Sequence, residues 1–337
     1  MSVWIDILLA TLSVALAVRC LTAPTLAQCV FLFFAFGLTL ALAWARLGAV
    51  DVAIAEAAIG AGFLGVLLID ALRDFAPAKE ATVEDAEGYA AGGSAAEGSA
   101  AGVPLRAGRA ALPLLPLAIA AVVFVLLTAE AVLNVRDGGG LTELAQENLA
   151  RSGVDHPVTA VLLNYRSYDT WLEVGVVLIA LLAIFAVGNG GTFARRDHVT
   201  HDPVLEPVSR ILAPVLFLIG GFLLFLGKYE PGGAFQAAVL WGAMGILLYL
   251  AGWPVMTCLP RVWWQVLLTA GFGVFMLLGL AFMSGGGAWF EYPLAHAGNL
   301  ILLIETLAAL SIAAALTAIF AFFHEMHAPD ATETPEK

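Results

Sequence analysis

Gly48-Ala49-Val50-Asp51-Val52-Ala53-Ile54-Ala55-Glu56-Ala57-Ala58-Ile59-Gly60 places two carboxylates at and inside the start of an apolar run that continues to Leu72. A charged side chain near the middle of a bilayer-spanning helix costs roughly 2.5 to 3.5 kcal/mol on insertion scales, so such a residue faces protein, water or an ion path. The stretch points to an intramembrane helix that handles ions.

The rest of the chain agrees. Of 337 residues, 61% are hydrophobic and 12% charged, and the mean hydropathy is +0.92; this excludes an ordinary soluble globule. Apolar runs of about 20 residues match a hydrocarbon core roughly 30 Å thick, and nine occur: Trp4 to Leu21, Leu26 to Ala45, Val52 to Leu72, Leu112 to Leu133, Leu172 to Gly188, Ile211 to Leu226, Phe235 to Ala251, Val262 to Met283 and Asn299 to Phe323. Backbone polar groups in lipid must be satisfied within the segment, so these runs predict helices. The expected fold is an all-α integral membrane protein with about nine transmembrane helices in three modules.

The first span has no basic leader and no small-residue cleavage site, so it is expected to stay in the mature chain. Positive charge sets the orientation. One side receives ten basic residues (Arg19, Arg73, Lys79, Arg106, Arg109, Arg195, Arg196, Arg210, Arg261 and Lys337) and the other five (Arg46, Arg136, Arg151, Arg166 and Lys228). This predicts an outer N-terminus and a cytoplasmic C-terminus. The net charge of -12 argues against nucleic acid as a partner. Cys20, Cys29 and Cys258 are scattered, without a CxxC pair, and read as apolar fillers.

Composition divides the chain into a three-helix module over 1–76, a flexible acidic Ala/Gly linker over 77–111, a two-helix module over 112–190, a four-helix module over 191–327 and an acidic tail over 328–337. Within the second module, Leu141, Leu144, Ala145 and Leu149 mark one face of a short surface helix. The stretch from His156 to Thr170 is too polar to span and too apolar to be loose, so it packs against neighbouring helices. Gly227-Lys228-Tyr229-Glu230-Pro231-Gly232-Gly233 predicts a sharp reversal at Pro231, Gly232 and Gly233, with Lys228 placed to pair with Glu230.

Depth sorts the acidic residues. Asp51 begins its span, where it either caps the helix N-terminus or lines an ion path. Glu56 lies about 7.5 Å deeper and is rotated about 140° from Asp51 in an α-helix, so the two do not form a dyad. Glu56 and Asp70, about 21 Å apart in the same geometry, share a face, with Gly60, Gly62 and Gly65 between them open to close approach by another helix. Glu305 is a second deep acid; no cation on its own helix neutralises it, so it takes a proton, an ion or a partner from elsewhere. Glu130 and Glu173 lie nearer the outer ends of their spans and carry less, and Asp6, close to the N-terminus, carries less still.

Other patterns carry less. Gly60-Ala61-Gly62-Phe63-Leu64-Gly65 spells GxGxxG but sits inside a membrane helix, without the preceding strand that a dinucleotide site needs. His198 with His201, and His324, Glu325 and His327, lack a complete zinc spacing. No nucleophile elbow, phosphate loop or catalytic triad is present in the sequence, and no metal or cofactor is expected.

Three stretches resemble a known family. Leu47 to Gly60 is similar to the three-helix module at the C-terminal end of the A subunit of Mrp-type cation/proton antiporters, which is also a small subunit of membrane-bound hydrogenases; Asp51 and Glu56 match its acids, and Val50 stands where that family has proline. Pro157 to Glu173 resembles the next module. Arg210-Ile211-Leu212-Ala213-Pro214 and Pro231-Gly232-Gly233-Ala234-Phe235-Gln236 resemble the start of the antiporter B subunit, although Ala234, Ala237 and Ala238 replace glycines.

The resemblance implies a fused accessory subunit of a multisubunit monovalent cation (Na+)/proton antiporter in the bacterial inner membrane, with a large antiporter-like pumping subunit as partner. The pumping unit's intramembrane lysines have no match in this sequence, so the chain is expected to be a transporter subunit and not an enzyme. Glu56, Asp51, Asp70, Glu305, Glu130 and Glu173 are the candidate ion-path residues. Two other readings stand beside it: a membrane subunit of a redox-driven ion pump related to hydrogenases or complex I, and a structural adaptor that tethers a pumping partner.

Overall fold

The structure, a computed structural model, describes residues 3–74, 140–187 and 204–326. Every regular element among them is helical. In chain order these are α1 (Val3–Leu21), α2 (Leu26–Arg46), α3 (Val50–Ala55), a π-helical segment (Glu56–Phe63) and α4 (Leu64–Asp74). They continue with α5 (Gly140–Asn148), a 3-10 turn (Leu149–Arg151), α6 (Pro157–Ala160), a second π-helical turn (Val161–Tyr165), α7 (Ser167–Val187), α8 (Leu205–Leu226), α9 (Ala234–Leu250), a second 3-10 turn (Val255–Thr257), α10 (Arg261–Ser284) and α11 (Ala297–Met326).

Among the described residues, seven helices are long and apolar enough to cross a membrane, counting α3 to α4 as one. The expected span from Phe235 to Ala251 forms α9, which is apolar but has only 17 residues. The expected span over 112–133, with Glu130, lies outside the described residues. So do the linker over 77–111, the tail over 328–337, His198, His201 and His327.

Several helices are longer than their apolar runs, because polar residues beyond the hydrocarbon still form helical turns. α7 starts at Ser167 and α8 at Leu205, where Arg210 pairs with Glu206 one turn away at 2.6 Å. The start of α2 is fixed locally: Thr25 is extended (φ -129°) and its hydroxyl accepts the Gln28 N–H at 3.3 Å.

The core forms around α11, which packs against α9, α10 and α7, while α9 also packs on α8. Ile301, Ile304, Ala308, Ala309 and Ile312 of α11 are all buried. Small residues bring the helices together: a Cβ at Gly271 would stand 2.9 Å from the Ala308 Cα, too close for any side chain. α1, by contrast, touches mainly α2 and buries none of its residues.

The segment from His156 to Thr170 packs inward as its composition predicts, burying Thr159, Ala160 and Leu163. At its end, Tyr168 and the following Trp171 join Phe272, Trp289 and Phe290 in an aromatic cluster, and the Trp171 indole N–H donates to the Phe272 carbonyl at 3.3 Å. This cluster holds α7 on α10.

Candidate functional site

The reversal between α8 and α9 is where separate parts of the chain meet. Its backbone is tight: the Gly227 and Gly233 N–H groups both donate to the Leu223 carbonyl, at 3.1 and 2.9 Å. Gly233 has φ +117°, a conformation that L side chains rarely adopt.

Two acids approach this reversal from different helices. Asp51 Oδ1 accepts the Gly232 N–H at 3.0 Å, and the Asp51 carbonyl accepts the Gln236 side-chain amide at 3.4 Å. The Asp51 side chain thus bonds another helix pair and not its own helix N-terminus. Glu305, 3% exposed, accepts the Ala234 N–H at the start of α9. Its Oε1 lies 2.7 Å from where a Gly233 Cβ would stand, so glycine leaves the space that the carboxyl fills. The first amides of a helix lack intrahelical partners and favour an acidic oxygen. Glu305 Oε2, buried, has no hydrogen-bond partner among the described residues.

A histidine completes the junction. His156 Nε2 stands 3.6 Å from Asp51 Oδ2, and its Nδ1 lies 3.3 Å from the Thr159 hydroxyl, which donates to the Gly227 carbonyl at 2.5 Å. The Lys228 carbonyl accepts the backbone N–H groups of Asp155 and His156 at 2.9 and 3.1 Å. Asp51, His156, Glu305 and Gln236 therefore bring together the three-helix module, the segment before α7 and the α8–α11 bundle.

The other expected site residues lie elsewhere. Glu56 opens the π-helical segment, and its Oε1 is 2.5 Å from a Cβ placed at Gly60, so it folds back along its own helix. Gly60 therefore makes room for Glu56 and not for another helix; Gly62 meets only the Ala57 carbonyl, and Gly65 is the glycine against which α2 packs, through Phe34. A π-helix takes more residues per turn than an α-helix, so the α-helical phase that aligned Glu56 with Asp70 does not hold across Glu56–Phe63. Asp70 instead meets His324 Nδ1 at 3.0 Å.

Glu173 is exposed on α7. The expected Lys228–Glu230 pair is not among the described ion pairs; the Lys228 ammonium lies over the Tyr229 ring, 5.5 Å from its centre. Pro231, Gly232 and Gly233 do form the reversal, with Gly232 serving as a donor to Asp51.

Sequence reading did not single out His156, Thr159, Gln236 or the His324–Asp70 pair. The available signal was a histidine and a threonine in a stretch otherwise apolar enough to be buried, which marks residues that need polar partners.

Two family models match the chain. Residues 204–324 match a domain related to the MnhB subunit of Na+/H+ antiporter, and residues 11–77 match MbhD, the D subunit of MBH. No curated protein matches the sequence. Among solved structures, a chain of the Mrp complex from Dietzia sp. DQ12-45-1b is similar over 97% of this chain, with a TM-score of 0.67 and 21% identity. This chain spans only 35% of that one. A chain of the membrane-bound sulfane sulfur reductase, an archaeal respiratory membrane complex, is similar over 62% of this chain and 96% of its own length, with a TM-score of 0.51 and 24% identity. Both likenesses show the fold. With seven helices among the described residues able to cross a membrane, the chain is a multi-pass membrane protein that carries in one polypeptide a stretch matching MbhD and a domain related to the MnhB subunit.

Proposed function

We propose that this chain is an accessory membrane subunit of a multisubunit cation/proton antiporter, with sodium as the coupling ion, in a bacterial inner membrane. The observation that carries this reading is the convergence of Asp51 and Glu305 on consecutive residues of one glycine turn, with Glu305 Oε2 left unpartnered in a buried position. An acid so placed takes up and releases a proton or a small cation. Glu56 and Asp70 extend the path along the third span, and Glu130 and Glu173 serve its outer approaches. The full chain spans the membrane nine times with its N-terminus outside, and its modules divide at 76, 111, 190 and 327.

A large antiporter-like subunit supplies the pumping. A second reading, membership of a redox-driven ion pump, is favoured by the match of residues 11–77 to MbhD. Gentle detergent extraction followed by identification of co-purifying proteins separates the two. Antiporter-like subunits alone support exchange, whereas iron–sulfur or nickel proteins support redox coupling. A complex with neither kind of partner contradicts both.

A further inference from the structure

His156 is held by hydrogen bonds that leave only one ring atom free to change its proton. The Thr159 hydroxyl lies 2.5 Å from the Gly227 carbonyl, which can only accept, so the hydroxyl proton is used there. The Thr159 lone pair then faces Nδ1 at 3.3 Å and accepts from it. With a proton fixed on Nδ1, the neutral and charged rings differ only at Nε2. That atom points to Asp51 Oδ2 across 3.6 Å, a gap that a small ring tilt closes to hydrogen-bond distance.

Asp51 is constrained in a matching way. Its Oδ1 is occupied by the Gly232 N–H, which leaves Oδ2 as the oxygen turned to the imidazole. The other charged groups nearby are Asp155, exposed beside His156, and Lys228, whose carbonyl accepts the His156 N–H. The Lys228 ammonium lies by the Tyr229 ring and 3.2 Å from where a Gly298 Cβ would stand. From α9, Gln236 brings an uncharged amide to the Asp51 carbonyl, and Glu305 lies against Gly233, the residue after the one that bonds Asp51.

We propose that His156 is the proton donor and acceptor for Asp51, the residue through which this end of the carboxylate path exchanges protons. In the forward step the Nε2–H bond breaks and an O–H bond forms on Asp51 Oδ2; imidazolium becomes neutral imidazole and carboxylate becomes neutral acid, and the return step reverses both. Thr159 is a positioning residue, holding the tautomer that makes Nε2 the exchanging atom. This inference rests on the antiport reading above.

The test uses the purified complex in proteoliposomes, with sodium-dependent proton movement followed as a function of pH. His156→Gln is expected to lower exchange by roughly tenfold or more, as loss of a positioned proton-transfer group does, and to flatten its pH dependence. Asp51→Asn is expected to do the same, with no further loss in the double variant. Thr159→Val, which keeps the imidazole, is expected to displace the pH profile. In the wild-type complex, infrared difference spectra with ring-labelled histidine are expected to show imidazole and carboxyl bands titrating together. A wild-type pH profile in assembled His156→Gln overturns the proposal. So does the absence of a coupled imidazole and carboxyl change in the wild-type spectra, which decides the matter if the variants fail to assemble. If the wild-type complex shows no sodium-dependent exchange, the antiport reading fails instead, and the spectra still test the pair.

Discussion

Asp70 Oδ1 and His324 Nδ1 stand 3.0 Å apart, tying the end of the third span to the end of α11. The ring of His324 is also stacked on Phe320, 5.6 Å between centres, and meets the edge of Tyr249. Together with Asp51 and His156 at the start of the span, the third helix is held at both ends by an acid and a histidine.

The Asp70–His324 contact should be worth about 0.5 to 1.5 kcal/mol, since the histidine side chain is 32% exposed and solvent screens it. A double-mutant cycle of Asp70→Asn and His324→Gln, read by denaturant unfolding in detergent, should return that coupling. Asp70→Asn with Glu56→Gln should be additive within about 0.5 kcal/mol.

Gly233→Ala should destabilise the bundle by about 1 to 3 kcal/mol, because its φ of +117° is disfavoured for alanine and the new Cβ meets Glu305 Oε1. Gly221→Ala in α8 is the control. Its Cβ meets nothing within 4 Å, and a helical Gly→Ala change should be neutral or stabilising by up to about 1 kcal/mol. Unfolding of the two variants checks both.

Cys20 and Cys29, far from a CxxC pattern, have their sulfurs 3.5 Å apart across the α1–α2 hairpin. A small disulfide reagent should therefore convert the pair to an internal disulfide with loss of two hydrogens, releasing two equivalents of reagent thiol. Cys29→Ser should instead keep the reagent on Cys20 as a mixed disulfide. Intact-mass measurement distinguishes these outcomes.

Tyr292, in the loop 285–296, has its phenol pushed up to about 12 by burial, with the Ser167 hydroxyl working the other way. The folded state therefore holds this proton more tightly than the unfolded chain, whose tyrosine ionises near 10. Its contribution to stability is complete below about pH 10 and is lost as pH rises through about 12. Ultraviolet titration should show a late-ionising phenol that Tyr292→Phe removes.

Much of this architecture is legible from apolar run length alone, because roughly 20 residues of helix is what a bilayer requires. Pro231, Gly232 and Gly233 likewise declare their reversal, since the chain cannot pass there without a glycine at positive φ. The alignment of Glu56 with Asp70 was not legible. It assumes one α-helical phase from end to end, and nothing local in Glu56–Phe63 signals that the helix widens there. The partners of Asp51 were hidden for another reason: Gly232 lies 181 residues away, and a backbone N–H carries no sequence signature. Cys20 and Cys29 look unrelated because their pairing depends on the hairpin that brings the end of α1 beside the start of α2.

The buried acid at the glycine turn, Glu305, is the residue proposed to work in ion exchange. Glu305→Gln keeps the shape and an oxygen for the Ala234 N–H but cannot release a proton. Sodium-dependent proton movement should be measured in proteoliposomes containing the assembled variant complex. A loss of at least about tenfold against wild type is expected; an unchanged rate in a normally assembled complex would rule out a role for Glu305 in exchange.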